Sequence, residues 1–150
     1  MNPLTFLENQ LLVTKFYVPV TPGSLISRPR LIALLNKSVK YPFTLVSAAA
    51  GFGKTTLLAS WSRSLPANNP RVAWVSLDET GNEPRLFWSY VLTALTRQEP
   101  HRFIELLMHL QSPQTPPLNH ILTALLNLLV ESTENILDIV SFSKGALFRS

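Results

Sequence analysis

The sequence contains no cysteine, which excludes disulfides, zinc–thiolate sites and a cysteine nucleophile and accords with a reducing compartment. A basic start followed by an apolar core is also missing. The opening MNPLTFLENQ has neither feature, so a secretory leader is not expected. No long hydrophobic run is present: ILTALLNLLV is interrupted by Thr123 and Asn127 and is too short to span a bilayer. Charge is sparse as well, at 15% of residues against 46% hydrophobic, which argues against disorder and for an apolar-rich folded chain. A cytoplasmic protein without a membrane partner is therefore expected.

The 13 basic residues exceed the 9 acidic ones and give a net charge of +4. They are dispersed, with only Arg28 and Arg30 close together in SRPR, so the excess reads as a solvated surface and not as a nucleic-acid stripe. The three histidines, His101, His109 and His120, show no metal-ligand spacing. Spacing supports neither a Ser-His-Asp arrangement nor a pair of glutamates. What remains is enough chain, 150 residues, for one domain with one sizeable core.

Residues 1–27 carry Pro19, Pro22 and Gly23 among short apolar runs and read as an extended lead-in. RPRLIALLNKSV reads as a short helix opened by Pro29, and FTLVS at 43–47 as a buried strand. From Thr55, TTLLASWSRSL places Leu57, Leu58 and Trp61 on one helical face and stops before Pro66. A second β-type run, RVAWVSLD at 71–78, leads through ETGNEP into the helix LFWSYVLTAL. This alternation predicts an α/β fold in which helices flank parallel strands. Beyond it the chain reads as helix-rich. HRFIELLMHL is followed by the proline connector SPQTPP and by LNHILTALLNLLVE, whose stripe of Leu118, Ile121, Leu122 and Leu125 is expected in the core. Trp61, Trp74 and Trp88 are expected there too.

The segment AAAGFGKTTLLASW carries the chemistry. Phosphates concentrate negative charge, and a helix N-terminus offers outward amides together with the positive end of the dipole. Gly51 and Gly53, around Phe52, would let the backbone wrap a phosphate; Lys54 would reach the outer phosphates, Thr55 would offer a hydroxyl to Mg²⁺, and Thr56 would add a phosphate bond. Against the pattern G-x-x-x-x-G-K-[ST], Ala48 stands in place of the first glycine. The bland alternative is a glycine-rich turn with a solvated lysine. Hydrolysis would further need an acid at another strand's end. The candidates are Asp138 in ENILDIVSF, which reads equally well as a loop residue, and Asp78 or Glu79 after RVAWVSL, where helix capping or solvation is the alternative.

Four blocks, TKFYVPVTPGSLISRPRL, LVSAAAGFGKTTLLASW, VAWVSLDETGNEPRLFWSYVLTAL and LQSPQTPPLNHILTALLNLL, resemble in their order the N-terminal ATPase part of MalT-like, LuxR-type bacterial regulators. These are P-loop ATPases of the STAND class, and the resemblance covers roughly residues 11–130. It implies a partial P-loop nucleotide-binding domain over 28–150 that takes ATP or ADP with Mg²⁺. Lys54 is the implied phosphate ligand and Thr55 the implied Mg²⁺ ligand, while Arg28 and Pro29 lie in the RPRL segment implied to approach the base.

The family places two adjacent aspartates on a strand where this chain reads ENILDIVSFSKGALFRS, so nucleotide binding is expected and hydrolysis is doubtful. The resemblance also implies a truncated or frameshifted chain, without sensor or DNA-binding regions, whose sheet lacks a central strand beside that of the phosphate loop. No DNA contact is then expected, and self-association only in a longer relative. A small stand-alone P-loop NTPase or kinase and a non-functional remnant or interaction fragment are the alternatives.

Overall fold

The computed structural model describes residues 11–41, 46–47, 49, 51–67, 70–131 and 136–142. After a short 3-10 turn at Val13–Phe16, helix α1 spans Pro29–Ser38 and helix α2 spans Lys54–Ser64. Strand β1 (Arg71–Leu77) is followed by a 3-10 turn at Glu79–Asn82 and then by three helices: α3 (Pro84–Gln98), α4 (Pro100–Gln111) and α5 (Leu118–Val130). Strand β2 (Ile136–Phe142) returns parallel to β1, with Arg71 beside Ile136 and Leu77 beside Phe142.

The α/β expectation holds, and the second half is helix-rich as expected. The run ILDIVSF, whose Asp138 reads equally well in a strand or a loop, is a strand. Its β-branched residues alternate between two apolar surfaces, which a helix of the same sequence could not achieve. Residues 43–45 of the expected FTLVS strand lie outside the described residues, and Val46 and Ser47 are not in a strand.

Proline and glutamate set the helix starts. Pro29, Pro84 and Pro100 each stand at the opening of a helix, where a missing amide costs nothing and φ is already helical. At α3 the cap is Glu83, whose carboxylate accepts from the amides of Arg85 and Leu86 at 3.0 and 2.7 Å. Such an anionic cap also meets the positive end of the helix dipole.

The paired strands carry apolar residues into a helix-covered cluster on each face, as parallel strands do, although Asp138 stays exposed. On one face, Ala73, Val75 and Leu77 of β1 join Leu92 and Leu95 of α3, Phe103 and Leu107 of α4 and Ile121 and Leu125 of α5. On the other face, Trp74 and Ile139 meet Leu35 of α1 and Ala59 and Trp61 of α2. Trp61 donates its indole N–H to the Asn36 side chain at 2.8 Å, which fixes α2 against α1 and satisfies a buried donor. Trp61 and Trp74 are buried as expected, and Trp88 is half-buried against the larger cluster. Of the α5 stripe, Ile121 and Leu125 are buried, whereas Leu118 and Leu122 lie at its margin.

The lead-in is tied to this core. Phe16 belongs to the larger cluster and tilts against the Tyr90 ring, with 5.6 Å between centroids. Arg63 of α2 reaches back to the carbonyl of Pro19 and to the Thr21 hydroxyl. At the far end of β1, Glu99 binds Arg71 at 2.7 Å and Arg102 at 3.1 Å. Burial opposes ionisation of Glu99, but the hydrogen bonds and charges of Arg102 and Arg71 outweigh it and hold the carboxyl below its ordinary range.

Candidate functional site

The loop before α2 takes the shape its glycines permit. Gly51 and Gly53 both have positive φ, +84° and +76°, which lie in the left-handed region that side-chain-bearing residues avoid. Gly53 is the residue that caps α2, so the helix opens without a side-chain cap and with no acid in its first turn. By helix geometry the amides of that turn point out of the helix end, and nothing in the turn offsets the positive end of the dipole.

Lys54, the first helical residue, curls back so that Nζ donates to the Ala49 carbonyl at 3.1 Å, which holds the ammonium across the loop. Arg28, at the start of α1, donates from its guanidinium to the Phe52 carbonyl at 3.2 Å. The other arm of that guanidinium lies 3.9 Å from where a Cβ on Gly53 would stand. Two cations from separate segments thus converge on one turn. Pro29 follows Arg28 as the exposed first residue of α1, Phe52 projects into solvent with 65% of its surface exposed, and Thr56 is half-buried in the first turn of α2. Ala48 and Ala50 lie outside the described residues.

Thr55 points toward the sheet. Its hydroxyl lies 2.7 Å from that of Ser141, a buried residue near the carboxyl end of β2. Sequence reasoning missed Ser141. Once β2 is read as a strand, the signal is its parity: Leu137, Ile139 and Ser141 share the face toward α1 and α2, while Ile136, Asp138 and Val140 share the other.

The acidic candidates fall elsewhere. Asp138 pairs with Ala73, midway along the strands, on the face away from Thr55. Desolvation by the surrounding protein raises its pKa, and the solvent access that the side chain keeps holds that rise short of about 7. Below the ordinary value of 3.8 folded and unfolded chains both hold this proton; above it the unfolded chain releases the proton first, so this group lowers stability as pH rises toward about 7. Asp138→Asn is expected to match the parent's denaturation midpoint near pH 4 and exceed it near pH 8, a comparison made by urea titration at both values. Equal midpoints at pH 8 would mean that hydration cancels the shift.

Asp78 belongs to another grouping. Lys15, with 8% of its side chain exposed, binds the Asp78 carboxylate at 3.0 Å and sits 5.0 Å from the Tyr90 ring centre. Lys15 and Asp78, with Leu12, Thr14, Ser76 and Leu77, line a shallow depression of about 310 Å³ at the carboxyl end of β1. Glu79 begins the following turn and is exposed. The histidines are exposed as well, and among the described residues there is no group of three metal-ligating side chains.

Over 85 residues, 57% of its length, the chain is 41% identical to the HTH-type transcriptional regulator MalT of Serratia proteamaculans. The corresponding regulator of Yersinia enterocolitica is 36% identical over 85 residues. The chain is related to MalT-type regulators. It is also 32% identical, over 124 residues or 82% of its length, to the serine/threonine-protein kinase PknK of Mycobacterium tuberculosis. The chain spans only about a tenth of these relatives, 9% of the Serratia MalT and 11% of PknK. No family model matches the chain. No helix among the described residues is long and apolar enough to cross a membrane.

Proposed function

We propose that this chain binds ATP or ADP through the Gly51–Thr56 turn, as the nucleotide-binding segment of a cytoplasmic MalT-like regulator. The observation that carries this reading is the uncapped start of α2, preceded by two positive-φ glycines and spanned by Lys54. A phosphate chain at this position would receive the amides of the α2 opening and the Lys54 ammonium, with Thr56 within the same turn. Arg28 stands on the α1 side of the turn, from which Arg28 and Pro29 would contact the base and sugar, and exposed Phe52 would border the opening.

The relation to MalT-type regulators supports this reading, because the loop and the helices around it would then serve a nucleotide-governed switch. No sensing, DNA contact or self-association is proposed for these 150 residues. Hydrolysis is not assigned to it either. The stand-alone kinase or NTPase reading would place an acid beside Thr55, and Ser141 occupies that place.

Equilibrium titration of the 150-residue chain with ADP and with ATP, followed by calorimetry, tests the proposal. Saturable binding of one nucleotide per chain is expected. A folded chain that shows no saturation with either nucleotide would leave the turn as a relic of ancestry.

A further inference from the structure

Resting on the phosphate-loop reading above and going beyond it, we infer that nucleotide binding by this chain does not depend on a divalent cation. Magnesium is held by oxygens, most of them charged: typically the nucleotide phosphates and an acid at the end of a neighbouring strand, with a loop hydroxyl beside them. The donor set here does not fit that requirement. The loop hydroxyl is Thr55, and the strand residue that meets it is Ser141, a neutral hydroxyl 2.7 Å away and 4% exposed. Ser76 of β1 is Ser141's register partner, and its hydroxyl accepts from the Trp74 indole N–H at 2.8 Å.

Among the described residues, the two aspartates do not make good the deficit. Asp138 lies three residues before Ser141; an odd interval in a strand puts it on the opposite face, and three steps carry it about 10 Å back toward the amino end. Register and pleat, not side-chain rotation, separate it from Thr55. Asp78, just past β1, is engaged by Lys15 at 3.0 Å.

The missing carboxylate has two consequences with the same sign. At Thr55 a metal would gain only neutral hydroxyl oxygen, with no carboxylate on the Ser141 side of it. A metal-free nucleotide would meet a hydroxyl and not a carboxylate at the end of β2 beside Thr55, while Lys54, Arg28 and the α2 dipole offset phosphate charge directly. The cation that other phosphate loops recruit is thus dispensable here.

The experiment compares ADP affinity of the full chain in magnesium and in EDTA, for the parent and for Ser141→Asp, with ADP alone as the probe. The parent is expected to give the same affinity in both buffers to within about twofold. Ser141→Asp, which returns a carboxylate to the end of β2 facing Thr55, is expected to bind about tenfold more tightly in magnesium than in EDTA. A parent that loses about tenfold in EDTA overturns the inference while leaving the phosphate-loop reading intact. A folded Ser141→Asp chain indifferent to magnesium overturns it as well. Absence of saturable binding in both buffers overturns the two together. If the buried aspartate prevents folding, the comparison on the parent decides alone.

Discussion

Lys54→Ala is expected to weaken ADP binding by roughly tenfold to a hundredfold and to leave the unfolding midpoint nearly unchanged. A charge-assisted hydrogen bond to phosphate contributes about 1.5–3 kcal/mol, and each 1.4 kcal/mol is a factor of ten in affinity. The structure supports a loss at the large end of that range. Lys54 is already folded over the loop, with Nζ 3.1 Å from the Ala49 carbonyl, so little side-chain freedom remains to be lost on binding. Alanine is also a strong helix former at the first position of α2, so the helix itself should persist. Calorimetric titration paired with thermal unfolding separates the two effects. Lost affinity with an unchanged midpoint assigns Lys54 to the ligand. Unchanged affinity would show that the ammonium serves only to brace the loop.

The contrast between what the sequence made legible and what it concealed follows from the range of the interactions involved. The loop was readable because its signal is local: Gly51, Gly53 and Lys54 lie within four residues, and the left-handed backbone at both glycines is what that residue type permits. Helices α3 and α4 were readable for a similar reason, since their apolar residues recur at three and four before a proline or polar break. β2 was concealed because a seven-residue apolar run is short enough for either helix or strand, and only its pairing with β1, about 65 residues earlier, settles the matter. Asp138 drew notice as the acid of that run, but strand parity turned it away from the loop and brought Ser141 to Thr55 instead. Lys15 could not have been marked as buried: composition gives no hint that its ammonium would find Asp78 and the Tyr90 ring across the fold.

Phe103→Ala should have the largest effect on stability, a loss of about 3–5 kcal/mol. The ring is wholly buried in the cluster that α3, α4 and α5 build against β1. Truncation removes the transfer free energy of the ring and leaves a cavity that close-packed neighbours fill only in part. Leu106, Leu107 and Leu110 lie on the same face of α4, which therefore has no polar alternative to turn inward. Set against a typical domain stability of about 5–15 kcal/mol, such a loss would unfold a marginal chain at room temperature. Met108 on the same helix is half-exposed, and Met108→Ala should cost no more than about 0.5 kcal/mol. Urea unfolding of the two variants side by side tests whether α4 packs as described. The consequence reaches the site because α3, α4 and α5 form the connection that returns β2 beside β1. Loosening that connection should release Ser141 from Thr55 before the turn itself is lost, since the glycine turn and α2 are fastened separately through Trp61 and Asn36. Under mild denaturant, the amides of β2 in Phe103→Ala should therefore exchange hydrogen earlier than those in the body of α2. The reverse order would place the stability of the glycine turn in the helical layer of α3–α5 and not in the α1–α2 pair.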